Sequence, residues 1–419
     1  MPPELAAAAL AGAALGVATG LVPGLHANTL AVLLLPLVAS AGGEAAPSFT
    51  CLLVALSLSH TVVSFVPATL VGAPEVEAAA SALPAHRLLR EGRGLEAVEL
   101  AVLGCLVGFG CALALLPAFL LFLRAAVPGG ALSAATPWVL LAVAAVVVGT
   151  ETRTIGGSRA KGVGAAALVF LLSALLGFGA LRWPLDPVVN AGEGTLLPLL
   201  SGLFGLPGLL LSASGPPPPP QKDWPVAEAR GDTARSGGLG ALFASALAIL
   251  PGTTAGVAAI LALTARRAAR PEQAIVATAA AASAGALFTV LAFVLVARAR
   301  SGAMLVVERV LAPETWSHVL PSALALSFLA SATVGLLVGS VVAPPLARTA
   351  WRRLRALPHR SASLCVAAFV AGLCFAFGGL PALALLAVAT LVGLLPWKLG
   401  LRRTHLLGAT MAPVLSWLA

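Results

Sequence analysis

Apolar runs of about 20 residues, the length a helix needs to cross a bilayer, follow one another along nearly the whole chain. They are continuous rather than alternating, which argues against a membrane β-barrel. Only 10% of the residues are charged, where a soluble domain carries roughly 25%. The chain is therefore expected to be all-α, a polytopic membrane protein. Within hydrocarbon, a helix can be interrupted only where other protein or a polar cavity satisfies the freed backbone groups. Two such interruptions stand out. Val22-Pro23-Gly24-Leu25-His26-Ala27-Asn28-Thr29 lies between the runs 5–21 and 30–38, and Leu250-Pro251-Gly252-Thr253-Thr254-Ala255-Gly256 lies between similar arms. Pro removes a backbone donor and Gly permits conformations other residues avoid, so each pair breaks a helix.

The two breaks divide the chain into similar halves. The first reads as a broken helical hairpin (5–40) followed by crossings near 48–72, 96–123, 133–150, 163–181 and 193–212. A polar connection, 213–237, contains Pro216 to Pro220, a run that favours an extended, semi-rigid spacer. The second half reads as a hairpin (238–264) and crossings near 273–297, 318–343, 362–377, 378–396 and 405–418. Pro23-Gly24 corresponds to Pro251-Gly252, Pro47 to Pro271, and Ser59 to Ser283. The units are thus 1–212, a linker 213–237, and 238–419.

Charge orients the halves. If both hairpins re-enter the membrane rather than cross it, loops near 87–93, 153–161, 222–235, 266–270, 348–360 and 398–403 share one side. They hold 20 of the 25 Lys and Arg residues. Arg124, Arg182, Arg298, Arg300 and Arg309 fall on the other. Counting each hairpin as a full crossing reduces the split to 12 against 13. The positive-inside rule therefore favours re-entrant hairpins in an inverted-topology repeat, with the basic side and the linker cytoplasmic and both termini outward. On this reading the net charge of +9 sets topology rather than binding nucleic acid. The first run lacks a basic segment before it and reads as retained rather than as a signal peptide.

Each break begins a half-helix whose first N–H groups lack partners within the helix and whose dipole places its positive end there. Asn28, Thr29, Thr253 and Thr254 suit capping positions. Two such ends near the membrane midplane form a cradle for a carboxylate or phosphate. A structural kink packed by neighbouring helices is the competing reading. His26 lies in the first break and His60 in Ser59-His60-Thr61 of the first crossing. Ionisable groups at membrane depth are costly and point to function, although either can also be a satisfied buried imidazole. A helix N-terminus in apolar surroundings disfavours added positive charge, so His26 is expected neutral when the site is empty. The candidate substrate-binding set is Pro23, Gly24, His26, Asn28, Thr29, Ser59, His60, Pro251, Gly252, Thr253, Thr254, Gly256 and Ser283. No third metal ligand accompanies the two histidines. The five cysteines lie in apolar stretches with no C-x-x-C pair. No phosphate-binding or hydrolase motif is present, so no cofactor or ATP use is expected, and coupling to H+ or Na+ is the default.

The ordered segments Gly20 to Thr29, Ser59-His60-Thr61, Gly72-Ala73-Pro74, Leu83-Pro84-Ala85-His86-Arg87, Gly202 to Pro207, Arg300 to Ala303, Leu395-Pro396 and Arg402-Arg403-Thr404-His405 resemble the TctA family. That family is the large permease subunit of tripartite tricarboxylate transporters, and the likeness is greatest to its shorter, stand-alone branch. The resemblance implies a secondary transporter of carboxylates in the plasma membrane, not an enzyme. It also implies a small membrane subunit and a periplasmic binding protein as partners, with the two Pro-Gly breaks lining the substrate site. This chain has His26 where typical members have Gly. More distantly, such hairpins resemble a family linked to recycling of polyprenyl-phosphate lipids. The alternative expectation is thus a translocase of an anionic lipid head group, and a third is an intramembrane enzyme using His26 and His60.

Overall fold

The computed structural model describes all residues except 42, 73–81, 127–130, 190–193, 223–230, 249, 251–252, 267–269, 297–298, 300, 312–321 and 419. Among the described residues the secondary structure is helical, with no strand beyond an isolated bridge between Ile155 and Ser158. Eight of the helices are long and apolar enough to cross a membrane. The protein is an all-α polytopic membrane protein.

In chain order the helices are α1 (Pro3–Leu21), α2 (Ala27–Ala41), α3 (Ala46–Val63), α4 (Phe65–Leu70), α5 (Ala82–Arg90), α6 (Gly94–Ala126), α7 (Ala131–Gly149) and α8 (Arg159–Ala180). They continue with α9 (Leu196–Leu200), joined through a π turn at Ser201–Gly205 to α10 (Leu206–Ser214). Then come α11 (Gly231–Leu247), α12 (Ala255–Arg266), α13 (Pro271–Val296), α14 (Gly302–Val310), α15 (Ala323–Leu354) and α16 (His359–Leu399). A 3-10 turn, Arg403–Leu407, leads into α17 (Gly408–Leu418). The segments expected as hairpins, 5–40 and 238–264, hold the pairs α1–α2 and α11–α12; α11 packs on α12, whereas α1 packs on α3 and α2 on α14. Helix α11 begins at Gly231, inside the segment read as linker.

The succession of lengths recurs. After each hairpin come a deeply buried helix (α3–α4, then α13), a nine-residue helix (α5, then α14) and a helix of more than 30 residues (α6, then α15). The packing recurs too, with the halves exchanged. α3 lies between α1 of its own half and α15 of the other, while α13 lies between α11 of its own half and α6 of the other. Small residues permit these approaches, as is usual between helices in lipid. A Cβ at Gly12 would sit 2.0 Å from the Leu52 carbonyl oxygen, one at Gly335 2.2 Å from that of Ala55, and one at Gly108 2.2 Å from that of Ala280.

Helix α16 is 41 residues long but has a non-helical residue, Gly379 (φ 66°, ψ −160°). Cys374 and Leu386 belong to one buried cluster, and the two ends approach one place. His359 bonds Ser212, and Trp397 lines the same cavity as Ser212. The helix therefore folds back at Gly379, in agreement with the two crossings expected at 362–377 and 378–396. Val189 N–H donates to Ala376 O (2.8 Å) and Trp183 Nε1 to Pro381 O (2.8 Å), fastening the bend to the loop after α8.

At the opposite ends, loops of the basic set meet one another. Arg93 pairs with Glu96 (2.7 Å) and with Glu272 at the start of α13 (2.9 Å). Arg90 donates to Pro216 O (2.9 Å), and Gln221 bonds Gly94 N–H and Leu89 O, so the proline run lies along the α5–α6 turn. Glu151, after α7, is a buried hub. Its Oε1 accepts from Thr152 and Arg153 N–H (2.7 and 2.9 Å), while Oε2 accepts from His405 Nε2 (2.7 Å) and Arg402 N–H (3.2 Å). Burial alone would raise this carboxyl, but the bonds from His405 and the Arg153 and Arg402 amides outweigh it. They hold it well below the usual carboxylate range.

Candidate functional site: the break between α1 and α2

Helix α1 ends at Leu21, and the chain turns through Val22–Leu25 with Gly24 in the left-handed region (φ 85°). Leu25 N–H donates to Val22 O (3.2 Å). A side chain at Gly24 would point at Val370 and Leu373 of α16, so the break packs against the first limb of that folded helix.

His26 is the residue just before α2. Its carbonyl accepts from Thr29 N–H (3.1 Å), and its Nδ1 accepts from Asn28 N–H (3.2 Å). The imidazole thus does what Ser or Asp does at other helix starts. Because the amide is the donor, Nδ1 carries a lone pair and the ring proton sits on Nε2. The His60 ring of α3 lies 5.3 Å away between centroids, tilted by 57°. His60 is buried, and its Nδ1 is 3.0 Å from Thr19 Oγ1 of α1. Thr19 escaped the sequence reading because it is one hydroxyl in an apolar arm, 41 positions from its partner.

The other predicted residues divide. The Asn28 side chain engages the start of α14. Its Oδ1 accepts from Ala303 N–H (2.9 Å), and with Ser301 Oγ, which accepts from Met304 N–H (3.2 Å), it caps α14. Thr29, in the first turn of α2, and Ser59, beside His60, are fully buried with hydroxyls that have no hydrogen-bond partner among the described residues. A buried polar group left unpaired costs about 1–3 kcal/mol, so these hydroxyls are suited to an incoming acceptor.

In the second hairpin, Pro251 and Gly252 lie outside the described residues, and with them the facing of Gly24 and Gly252. Thr253 Oγ1 lies within bonding distance of Leu250 O (2.8 Å) and Leu247 O (3.0 Å). Thr254 O receives Val257 N–H (3.1 Å) at the start of α12, and its buried Oγ1 is unpartnered. Gly256 is buried in the first turn of α12. Ser283, the counterpart of Ser59, donates to Cys105 O (2.8 Å) and so is occupied in helix packing. No group of three or more metal-ligating side chains occurs among the described residues.

Comparison with known proteins agrees with this architecture. The chain is 28% identical over 197 residues to the uncharacterized protein MJ1079 of Methanocaldococcus jannaschii, covering 46% of this chain and 45% of that protein. The chain thus spans under half the length of that relative. No solved structure matches. The family described as "Tripartite tricarboxylate transporter TctA family" matches residues 6–408. That match takes in both hairpins and nearly all of the helical bundle, and the chain belongs to the TctA family, a family of membrane transporters.

Proposed function

We propose that this protein is a secondary permease for a small organic anion, a di- or tricarboxylate, coupled to H+ or Na+ across the plasma membrane. The observation that carries this reading is the bond from Asn28 N–H to His26 Nδ1 at the positive end of α2. In the empty site the imidazole lone pair occupies an amide that would otherwise be offered to an anion. A proton taken up at Nδ1 turns the acceptor into a donor and breaks that bond. Asn28 N–H and the imidazolium then both favour a carboxylate, with the unpartnered hydroxyls of Thr29 and Ser59 nearby. Proton and anion therefore load together, which is symport.

The family match favours this permease over the translocase of an anionic lipid head group. The inverted orientation of the two halves and a cytoplasmic linker belong to the same proposal. They rest on the charge asymmetry of the loops and on the recurring helix order. A small membrane subunit and a periplasmic binding protein are the partners to seek, on family grounds.

The test is uptake of labelled citrate, other tricarboxylates and C4-dicarboxylates into proteoliposomes, with proton and sodium gradients imposed separately. Concentrative uptake of one of them is expected. Equal uptake with and without any gradient would contradict coupling, and no uptake of any carboxylate would contradict the substrate class.

A further inference from the structure

Away from the α1–α2 break, a cavity of about 270 Å³ lies among α4, α5, α10, the end of α16 and the turn that follows it. Its polar lining is His86, Arg90, Ser212, Trp397 and Arg403, with the backbone of Gly72 and Gly208 closing one wall. A Cβ at Gly208 would sit 2.3 Å from Gly72 O, so this wall requires bare backbone.

Arg403 is the anomaly. It is 3% exposed, and among the described residues no carboxylate pairs with it. One Nη donates to Phe204 O in the π turn, and the guanidinium lies over the Trp397 ring, 5.3 Å from its centroid. Among the described residues its Nε has no partner, nor has the buried Nε1 of Trp397. A guanidinium out of water without an opposing charge costs several kcal/mol. Among the described residues, the cavity lining adds a second cation, Arg90, and no acid. His86 is held near pH 4 by burial, and further by the positive charges of Arg90, His359 and Arg403.

We infer that this cavity is a binding site for a compact oxyanion, a carboxylate or phosphate group, held by Arg403 and Arg90 and separate from the break between α1 and α2. The anion would supply the countercharge that Arg403 lacks and acceptors for its Nε and for Trp397 Nε1. The volume lies at the small end of ligand pockets, which suits a compact anion or the head group of a phospholipid. The inference stands independently of which solute the hairpins carry.

The experiment titrates the purified full-length protein with citrate, succinate, inorganic phosphate, and phosphatidic acid in mixed micelles. Binding is followed by calorimetry and by tryptophan fluorescence. At least one probe should bind and change the fluorescence. That change should vanish in Trp397→Phe, with calorimetric binding weakened by loss of the indole N–H donor. Arg90→Gln and Arg403→Gln should each weaken binding at least tenfold. Preference for phosphatidic acid assigns the oxyanion to a lipid, and preference for a free anion assigns it to a solute; either supports the site. Affinities unchanged in Arg90→Gln, or no binding by any of the four probes, would overturn it. Arg90 is only partly buried, so its variant keeps the test decisive if Arg403→Gln does not fold.

Discussion

Asn28 Oδ1 accepts the amide of Ala303, 275 positions away, so one residue of the first hairpin caps a helix of the second half. The same residue's backbone amide is capped by His26. The start of α2 and the start of α14 are therefore joined through a single side chain.

Removing that acceptor should be felt directly. Asn28→Ala leaves Ala303 N–H without its acceptor and is expected to cost about 1–3 kcal/mol, seen as a lower melting temperature in detergent. Asn28→Asp keeps the acceptor and places a negative charge at a helix N-terminus, so it should melt close to wild type. An alanine variant as stable as wild type would show that the contact does not hold α14.

The close contact of α1 with α3 gives a paired prediction. A methyl group at Gly12 would lie 2.0 Å from Leu52 O, whereas one at Gly110 meets nothing within 4 Å. Gly12→Ala should destabilise by about 1–3 kcal/mol through forced backbone shifts. Gly110→Ala should be neutral or better, within about 1 kcal/mol. Equal thermal stability of the two variants would contradict the packing described for α1.

Glu151 sets an acid limit. Its folded-state carboxyl is held below the ordinary value of 4.5, so the unfolded chain binds the proton more readily. The stabilisation is complete above that value and declines as pH falls below it. Glu151→Gln should reduce this acid-side decline, leaving the part due to other paired carboxylates such as Glu272, and lower stability at neutral pH by about 3–5 kcal/mol, the usual penalty for breaking a buried charged pair. Melting curves between pH 3 and 8 provide the check, and a parallel decline in both proteins would contradict the assignment.

The charge-based orientation can be read chemically. Pro217 is exposed in the proline run, on the side expected to be cytoplasmic. With Cys365, which is exposed in the native chain, replaced by Ser, Pro217→Cys should react with an impermeant thiol reagent only from the cytoplasmic face of vesicles. Labelling from the periplasmic face would reverse the topology.

Much of this architecture was legible because membrane helices announce themselves locally. The Pro-Gly break at residues 23–24 separates α1 from α2 as expected, and Gly379 folds α16 where two crossings were read. Contacts between distant residues left no such signal. The nine-residue helices α5 and α14 are too short and amphipathic to register beside apolar runs. Helix α15 continues to Leu354, past the apolar segment, and within that extension Arg348 pairs with Glu99 of α6 (2.7 Å). Asn28 was read as a capping residue lining the substrate site, and that its side chain caps α14 in the other half had no local signal. Arg403 counted as one loop charge among twenty, yet it is buried against the Trp397 ring. Loop position says which side a charge is on but not whether water reaches it.

In the proposed mechanism His26 links proton to anion by surrendering its bond to Asn28 N–H. The most direct test is the pH dependence of carboxylate uptake by His26→Asn in proteoliposomes. Asn can still accept that amide but does not titrate. Substrate binding should largely survive in this variant while the dependence of uptake on pH flattens. An unchanged pH profile would contradict the mechanism and move the search for the coupling proton to His60.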